Sequence, residues 1–483
     1  MKYLFLVVWP CLVTAFSAEA QNYHAIQGSS YAGALGVHNN PASIVNTPFK
    51  WDLVLFGTQL KSSTNAFSIH NYSLLSSPAN SLYRVDKGQY KRKANLDFNL
   101  NLLNARIALN RKSSIAFGVN IRSYTTLQTS AYNFIDTIGN ASDFLKINQD
   151  FNTANGKLLS SSWLEAYISY ARTISDNEFG RLNAGITIRA GRGISGAYAH
   201  INNISVSRNI QNNTTVDNVN AADIIYGYSS NYDRWQSSNS NSQNINNFFN
   251  YTEGGASIDA GIEYLIKPQG TTSFYDEEDY NDYDWKLGLS LLDIGGNQYK
   301  YGTQSRVISS VKTTISGSTL DNKFDSTLSS VKAFNDSLAT IVNGYQAGGK
   351  FTVLNPMRLV ANVDHYLTGN FYINAELSVN IPLSSIKKSY LQVKEINLLT
   401  VTPRWETKRF GFYLPIQYNT QNQFWVGGAF KAGPLLLGFH NLVNLFSKTS
   451  TQNGGGYMAL ILRASKGSNG KTDKRLNCPR PIW

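Results

Sequence analysis

Few residues in this chain carry a pattern that could do chemistry. Gly191-Arg-Gly-Ile-Ser-Gly196 fits the dinucleotide fingerprint GxGxxG, which works only where a strand precedes it and a helix follows, so that the helix terminus meets pyrophosphate. Here the flanks are an alternating strand and a polar loop, and the glycines are expected as bends near the rim of a sheet. The six histidines (His24, His38, His70, His200, His365, His440) are scattered without ligand spacing, which points away from a metal site. The serines are diffuse, and none stands with a histidine and a carboxylate in a recognisable hydrolase setting. No catalytic residue and no cofactor are expected. Cys478, in Asn-Cys-Pro-Arg-Pro, reads as a lone tail thiol that invites an intermolecular bond.

The remaining candidates are charges on one face of alternating segments. With the apolar face turned outward, the inward face carries Asp97, Arg106, Arg122, Glu165, Arg189, Asp259, Glu263, Lys286, Arg358, Asp364 and Glu376, five basic and six acidic. Such a set either lines an ion-selective channel or forms a network of paired charges that fills and stiffens the interior. The near balance of signs favours the network, because unpaired charge away from bulk water is costly.

The elements that must position these groups follow from the same alternation. From Trp51 to Ser465 apolar and polar residues alternate in segments of roughly ten, each closed by a turn, the signature of a closed antiparallel transmembrane β-barrel. In Phe410-Gly-Phe-Tyr-Leu-Pro-Ile-Gln-Tyr418 the residues Phe410, Phe412, Leu414, Ile416 and Tyr418 share one face. In the hairpin from Asn95 to Thr126 the phase flips at Leu102-Leu103, as a β-bulge would make it. Counting the segments predicts about 14 strands, an even number that leaves both ends in the periplasm.

Connections near residues 111, 176, 276, 369, 407 and 433 alternate with long ones near 62–93, 128–161, 197–254 and 296–349. Short turns belong to the periplasm and long loops to the outside, with the long acidic connection Asp276 to Asp284 as the exception. The outer loops are rich in Asn and Ser, as in Ser237 to Asn250, which predicts hydrated, mobile structure. Ser326 to Tyr345 has apolar residues at helical spacing.

Met1-Lys2-Tyr3, the apolar run Leu4 to Val13 and Ser17-Ala18-Glu19-Ala20 make residues 1–20 an expected secretory signal, cleaved before Gln21. Beyond it no stretch approaches the ~20 apolar residues a membrane helix needs. A mean hydropathy of −0.26 with 12 % aromatic and 15 % charged residues suits a barrel in which only alternate strand residues meet lipid. The net charge of +12 has anionic lipid headgroups, not nucleic acid, as its expected counterpart in an exported chain. The predicted layout is a leader or plug over 21–50, a barrel over 51–465 and a basic tail over 466–483, in the outer membrane of a Gram-negative bacterium.

One local motif stands apart, Gly36-Val-His-Asn-Asn-Pro-Ala-Ser43. Asn-Pro punctuates a turn, and Pro41 can open a short helix capped by Asn40, so the segment is at least an ordered tether. Followed by Trp51-Asp-Leu-Val-Leu, it resembles the plug region of the FadL-type long-chain fatty-acid transporters, and Leu287-Gly-Leu-Ser-Leu-Leu-Asp-Ile-Gly295 resembles the same superfamily. The closest overall resemblance is to an uncharacterised group of such barrels, related to the barrel shuttle of type IX secretion. The resemblance implies 14 strands with an N-terminal hatch in the lumen, and makes Asn39, Asn40, Pro41 and Ala42 the hatch and ligand candidates. The long loops, the acidic connection and the tail past Ser465 depart from the fatty-acid transporters.

Three functions stay open on these grounds: passive, hatch-gated passage of a hydrophobic or amphipathic small molecule, a non-transporting scaffold for envelope or secretion proteins, and an open porin. A continuous apolar pocket beside Asn39 to Ala42 would favour passage; a filled lumen would favour the scaffold.

Overall fold

The computed structural model describes residues 25–73, 75–148, 153–211, 214–268, 283–325, 328, 330–383, 391–448 and 450–464. The expected signal, most of the acidic connection and the tail with Cys478 lie outside the described residues.

Fourteen membrane strands close into one antiparallel barrel. They are β1 (Trp51–Thr64), β2 (Gly88–Asn110), β3 (Ser113–Phe134), β4 (Ala154–Asp176), β5 (Gly180–Gln211), β6 (Glu253–Ile266) and β7 (Trp285–Lys300). The ring continues through β8 (Arg358–Thr368, preceded by Lys350–Leu354), β9 (Phe371–Asn380), β10 (Leu398–Glu406) and β11 (Phe410–Tyr413 with Ile416–Asn419). It ends with β12 (Phe424–Val426 with Gly428–Ala432), β13 (Leu435–Phe439) and β14 (Asn453–Arg463). β1 pairs with β2 on one side and β14 on the other, Asp52 standing opposite both Arg106 and Arg463. Closure leaves no strand edge, so every strand has two neighbours for its backbone polar groups in a medium without water.

Side-chain alternation decides which face meets lipid. On β9, Phe371, Ile373, Leu377 and Val379 are exposed outward while Asn374, Glu376 and Ser378 are buried inward. Ile107, Phe117, Ile168, Ile186, Ile262, Leu289 and Phe412 continue the apolar belt around the cylinder. The phase flip at Leu102-Leu103 is a bulge, with the β2–β3 register shifting between Asn101 and Leu103. Among the described residues no helix is long and apolar enough to cross a membrane. The turns between β2 and β3, β4 and β5, β8 and β9, β10 and β11, and β12 and β13 are tight and share one end with both barrel termini, which is the periplasmic end.

The wall is uneven in height. β2, β3 and β4 run for 23, 22 and 23 residues and β5 for 32, whereas β13 has 5. The expected loop over 197–254 is therefore partly strand: the outer end of β5 pairs with Thr214–Tyr228, which pairs with Arg306–Val311. These outer strands bury Val206, Val219 and Ile308 with Ile315 of the short strand Ile315–Ser316 and Leu145 of a helix spanning Ala141–Ile147. Apolar residues there serve a small outer core rather than lipid. A helix over Val331–Ala339 occupies the segment with helical spacing. Gly193 and Gly196 lie within β5 where the β4–β5 register shifts and the neighbouring strand changes from β6 to Thr214–Tyr228; an added Cβ at either would fall 2.6 Å from the Tyr299 ring, so their lack of a side chain also admits that ring.

Candidate functional site in the lumen

Residues 25–50 lack the period-two pattern and fold inside the cylinder as two 3-10 turns, Gly33–His38 and Pro41–Val45. Pro41 opens the second turn, and Asn40 caps it by accepting the Ala42 N–H at 3.0 Å. Gly33 has φ +59°, and a Cβ there would sit 2.5 Å from the Asp52 carboxylate. That carboxylate accepts the Ala34 N–H at 2.6 Å, fixing the first turn to β1.

The two halves of the segment rest on different walls. Ala25, Ile26, Ala32, Ala34 and Leu35 pack against Val54, Tyr413, Leu436, Tyr457 and Ile461 of β1, β11, β13 and β14. Val37, Ile44 and Val45 pack against Ala116, Tyr167 and Ala171 of β3 and β4. Between them, Asn40 and Pro41 enter a dent made by Gly185 and Gly261, which face each other across β5 and β6. A Cβ at Gly185 would lie 2.5 Å from the Pro41 backbone, and one at Gly261 would lie 2.1 Å from Asn40 Oδ1. Asn40 Nδ2 donates to the Ile262 carbonyl at 2.9 Å. Asn39 spans the lumen: its Nδ2 donates to Glu376 at 2.7 Å, and its carbonyl accepts from Ser290 at 2.6 Å. Ala42 is fully buried.

All eleven charged candidates are buried, and the structure distributes them over several clusters. Arg122 reaches both oxygens of Asp293 at 2.5 and 2.7 Å, while Arg189 reaches Glu165 at 2.7 Å and Asp259 at 2.6 Å. Arg106 ties the segment down by donating to the carbonyls of Ile44 and Phe49 at 2.6 and 2.8 Å, with Asp52 at 3.4 Å. Arg358 pairs with Glu395, which also takes Lys61 at 3.3 Å, and Asp97 is buried nearby. Asp364 takes Arg404 at 2.5 and 2.8 Å and the Tyr283 hydroxyl. Glu406 gathers Lys431 at 3.0 Å, Arg404 at 3.1 Å, Tyr413 at 2.7 Å and Ser29 at 2.6 Å. Glu263 accepts from Asn183 at 3.4 Å, and Lys286 donates to Ser30 at 3.4 Å.

Asp52, Lys61, Asp293, Glu395, Arg404, Glu406 and Lys431 were not among the sequence candidates. Arg404 and Glu406 share the inward parity of Thr400 and Thr402 on β10, so strict alternation there identifies them. Asp293 sits at φ +60° where the β6–β7 register shifts between Leu291 and Ile294, and Glu395 precedes β10; neither is visible from alternation.

His38, at the end of the first turn, meets Tyr167 edge-on and stands 3.4 Å from an Arg189 nitrogen. Burial, then the Arg189 charge, holds its imidazole well below the ordinary value, so the ring is neutral. Among the described residues no group of His, Cys, Asp or Glu is arranged to hold a metal ion.

The lumen beside Asn39 to Ala42 is filled. The cavity there is about 30 Å³, bordered by Ile26, Leu35, Gln27, Glu263, Lys286 and Asn362, a space of mixed polar and apolar lining on the scale of a water molecule or two. The apolar space lies on the lipid side instead, a cleft of about 640 Å³ over β10–β13 lined by Trp405, Phe412, Leu414, Phe430 and Leu437. Behind it the ladder is incomplete. Leu414 N–H bonds the Pro403 carbonyl at 3.1 Å and Gly427 N–H bonds the Pro415 carbonyl at 2.7 Å, but proline has no N–H to return either bond.

A family model described as a family of unknown function, DUF5723, matches residues 41–440. No curated protein matches the sequence. Among solved structures the chain is similar to the Ralstonia pickettii toluene transporter TbuX, with TM-score 0.42 and 10 % identity, covering 94 % of this chain and 100 % of that one. It is also similar to a Pseudomonas aeruginosa FadL homologue, with TM-score 0.40 and 12 % identity over 92 % and 98 % of the two chains. A third similarity is to the P. putida toluene transporter TodX, with TM-score 0.37 and 11 % identity over 89 % and 94 %.

Proposed function

The chain belongs to that family of unknown function, DUF5723, and from this premise we propose that it is a plug-gated outer-membrane transporter held in its closed state by residues 25–50. Its cargo is a small hydrophobic or amphipathic molecule, and Asn39 to Ala42 form the latch. The observation that carries the reading is how the latch is seated. A backbone step at Pro41 drops into a side-chain-free dent, and three polar contacts from Asn39 and Asn40 to β6, β7 and β9 hold it there. A permanent filler needs only apolar volume; a seat of a few directional bonds can be released and remade. The proline-interrupted wall supports a sideways exit toward the apolar cleft on β10–β13.

The filled lumen favours a second reading, a sealed scaffold whose tall outer strands meet other envelope proteins. Uptake of a fluorescent fatty acid into proteoliposomes separates the two. Passage predicts faster uptake after deletion of residues 25–45, with the barrel still folded by its heat-modifiable migration. Unchanged uptake would end the transport reading and leave the scaffold.

A further inference from the structure

Above the plug the lumen opens into a vestibule of about 670 Å³ whose chemistry differs from everything beneath it. Lys91 and Lys93 enter it from β2, Lys157 from β4, His200 from β5 and Lys394 from the segment before β10. The carboxylate on its lining is Glu395, which is buried and already engaged by Arg358 and by Lys61 at 3.3 Å. Among the described residues no carboxylate bridges any of the four vestibule lysines. Deeper in the lumen Arg122, Arg189, Arg358, Arg404 and Lys431 each meet a carboxylate, whereas the mouth gathers four lysines around one carboxylate that is already engaged.

One of the four ammonium groups feels two of the others. Lys394 is held below its ordinary range by burial first and then by the charges of Lys157 and Lys93. A concave, low-dielectric wall lined by one sign focuses the field and concentrates counter-ions. The volume lies within the ~300–1,000 Å³ of small-molecule sites. Among the described residues no arginine lines it, so the planar fork that recognises a single carboxylate bidentately is not supplied by them, while mobile point charges suited to dense, multiply charged groups are.

We infer that the vestibule is a binding site for a small soluble oligoanion, of the phosphate-ester or polyphosphate class, presented from outside the cell. The site stands apart from passage: its lysines touch neither the plug nor the dent, and binding needs no movement of residues 25–50.

The test uses the full mature chain in a nonionic detergent, titrated calorimetrically with inorganic tripolyphosphate. Saturable binding near one per barrel is expected, weakening steeply as salt is raised. The double variant Lys93→Gln, Lys157→Gln should weaken it by about tenfold or more, the loss of one or more charge-assisted contacts. Arg111→Gln with Lys112→Gln, in the exposed periplasmic turn, should leave it unchanged. Heat-modifiable migration verifies folding, and if the double variant fails to fold, Lys157→Gln alone is read, since Lys157 is solvent-exposed. Absence of binding, equal binding by the vestibule variant, or loss only in the turn variant would overturn the assignment. Failure of fatty-acid uptake would leave it standing.

Discussion

The wall from β2 to β5 and the wall from β10 to β13 do the same job by different means. The first is tall, with strands of 22 to 32 residues paired over nearly their whole membrane span, and it meets the plug through packed apolar groups and Arg106. The second is low, loses a return hydrogen bond at Pro403 and another at Pro415, and adds to its apolar plug contacts at Tyr413 and Leu436 a charged one, Ser29 on Glu406 at 2.6 Å. Where backbone pairing is complete, buried charges add rigidity to a wall that already stands. Where it is interrupted, the charge cluster takes a larger share of the cohesion. The plug bridges a rigid support and a softer one, so release should begin at the softer.

The largest expected effect tests this asymmetry. Glu406→Ala strips Lys431 of its carboxylate and should cost about 3–5 kcal/mol, the usual penalty for stranding a buried charge, read from the urea unfolding midpoint in lipid vesicles. Glu165→Ala on the tall side leaves Arg189 with Asp259 and Arg122 with Asp293 and should cost distinctly less. Equal losses would dissolve the contrast.

Next in size is the dent. Gly185→Ala places a methyl 2.5 Å from the Pro41 backbone, an overpacking worth about 1–3 kcal/mol. It should unseat residues 39–42 without unfolding the barrel, seen as brief single-channel openings in planar bilayers and faster proteolysis within 25–50. A silent bilayer would argue that the plug is a fixed filler.

The plug's hold should also depend on acidity. His38 is buried neutral, with its folded pKa well below the ordinary 6.5, so below pH 6.5 the released state binds a proton that the seated state refuses. Stability therefore rises with pH through this window and is lost as pH falls below 6.5, by at most about 1.4 kcal/mol per unit. The groups around the ring are Arg189, Tyr167, Arg122, Arg358 and the Arg122-paired Asp293; the guanidiniums and the phenol keep their charge in this window. His38→Gln should flatten the slope of plug protection against pH, measured by hydrogen exchange.

Pro415→Ala should give the smallest change, in the opposite direction. Restoring an N–H toward Gly427 closes one gap in the seam and should stabilise it by about 0.5–1.5 kcal/mol, slowing exchange of β11 and β12 amides. No change would mean that the seam is already held by packing.

Much of this was legible beforehand. The strand order, the short and long connections, the bulge at Leu102-Leu103 and the cap at Asn40 all follow from local alternation and turn chemistry. The inward parity of Asp97, Glu165 or Glu376 is set by neighbours two residues away. Other features needed partners distant in sequence. Gly185 and Gly261 are unremarkable glycines until register sets them face to face. Asp293 escaped because a bulge breaks parity at its position, and Glu395 because it stands outside a strand. The outer end of β5 misled because a polar, Asn-rich strand with scattered apolar residues reads as a loop until Thr214–Tyr228 pairs with it.

By itself the sequence determined a sealed cylinder with an oily outside and a polar inside, because successive side chains on an extended chain point opposite ways and a bilayer accepts only one of the two faces. Only the tertiary structure decided what fills that cylinder. Which charges neutralise one another, where a backbone can press against a wall, and why the mouth keeps an excess of lysines are matters of register and closure, and these bring together residues that no local pattern connects.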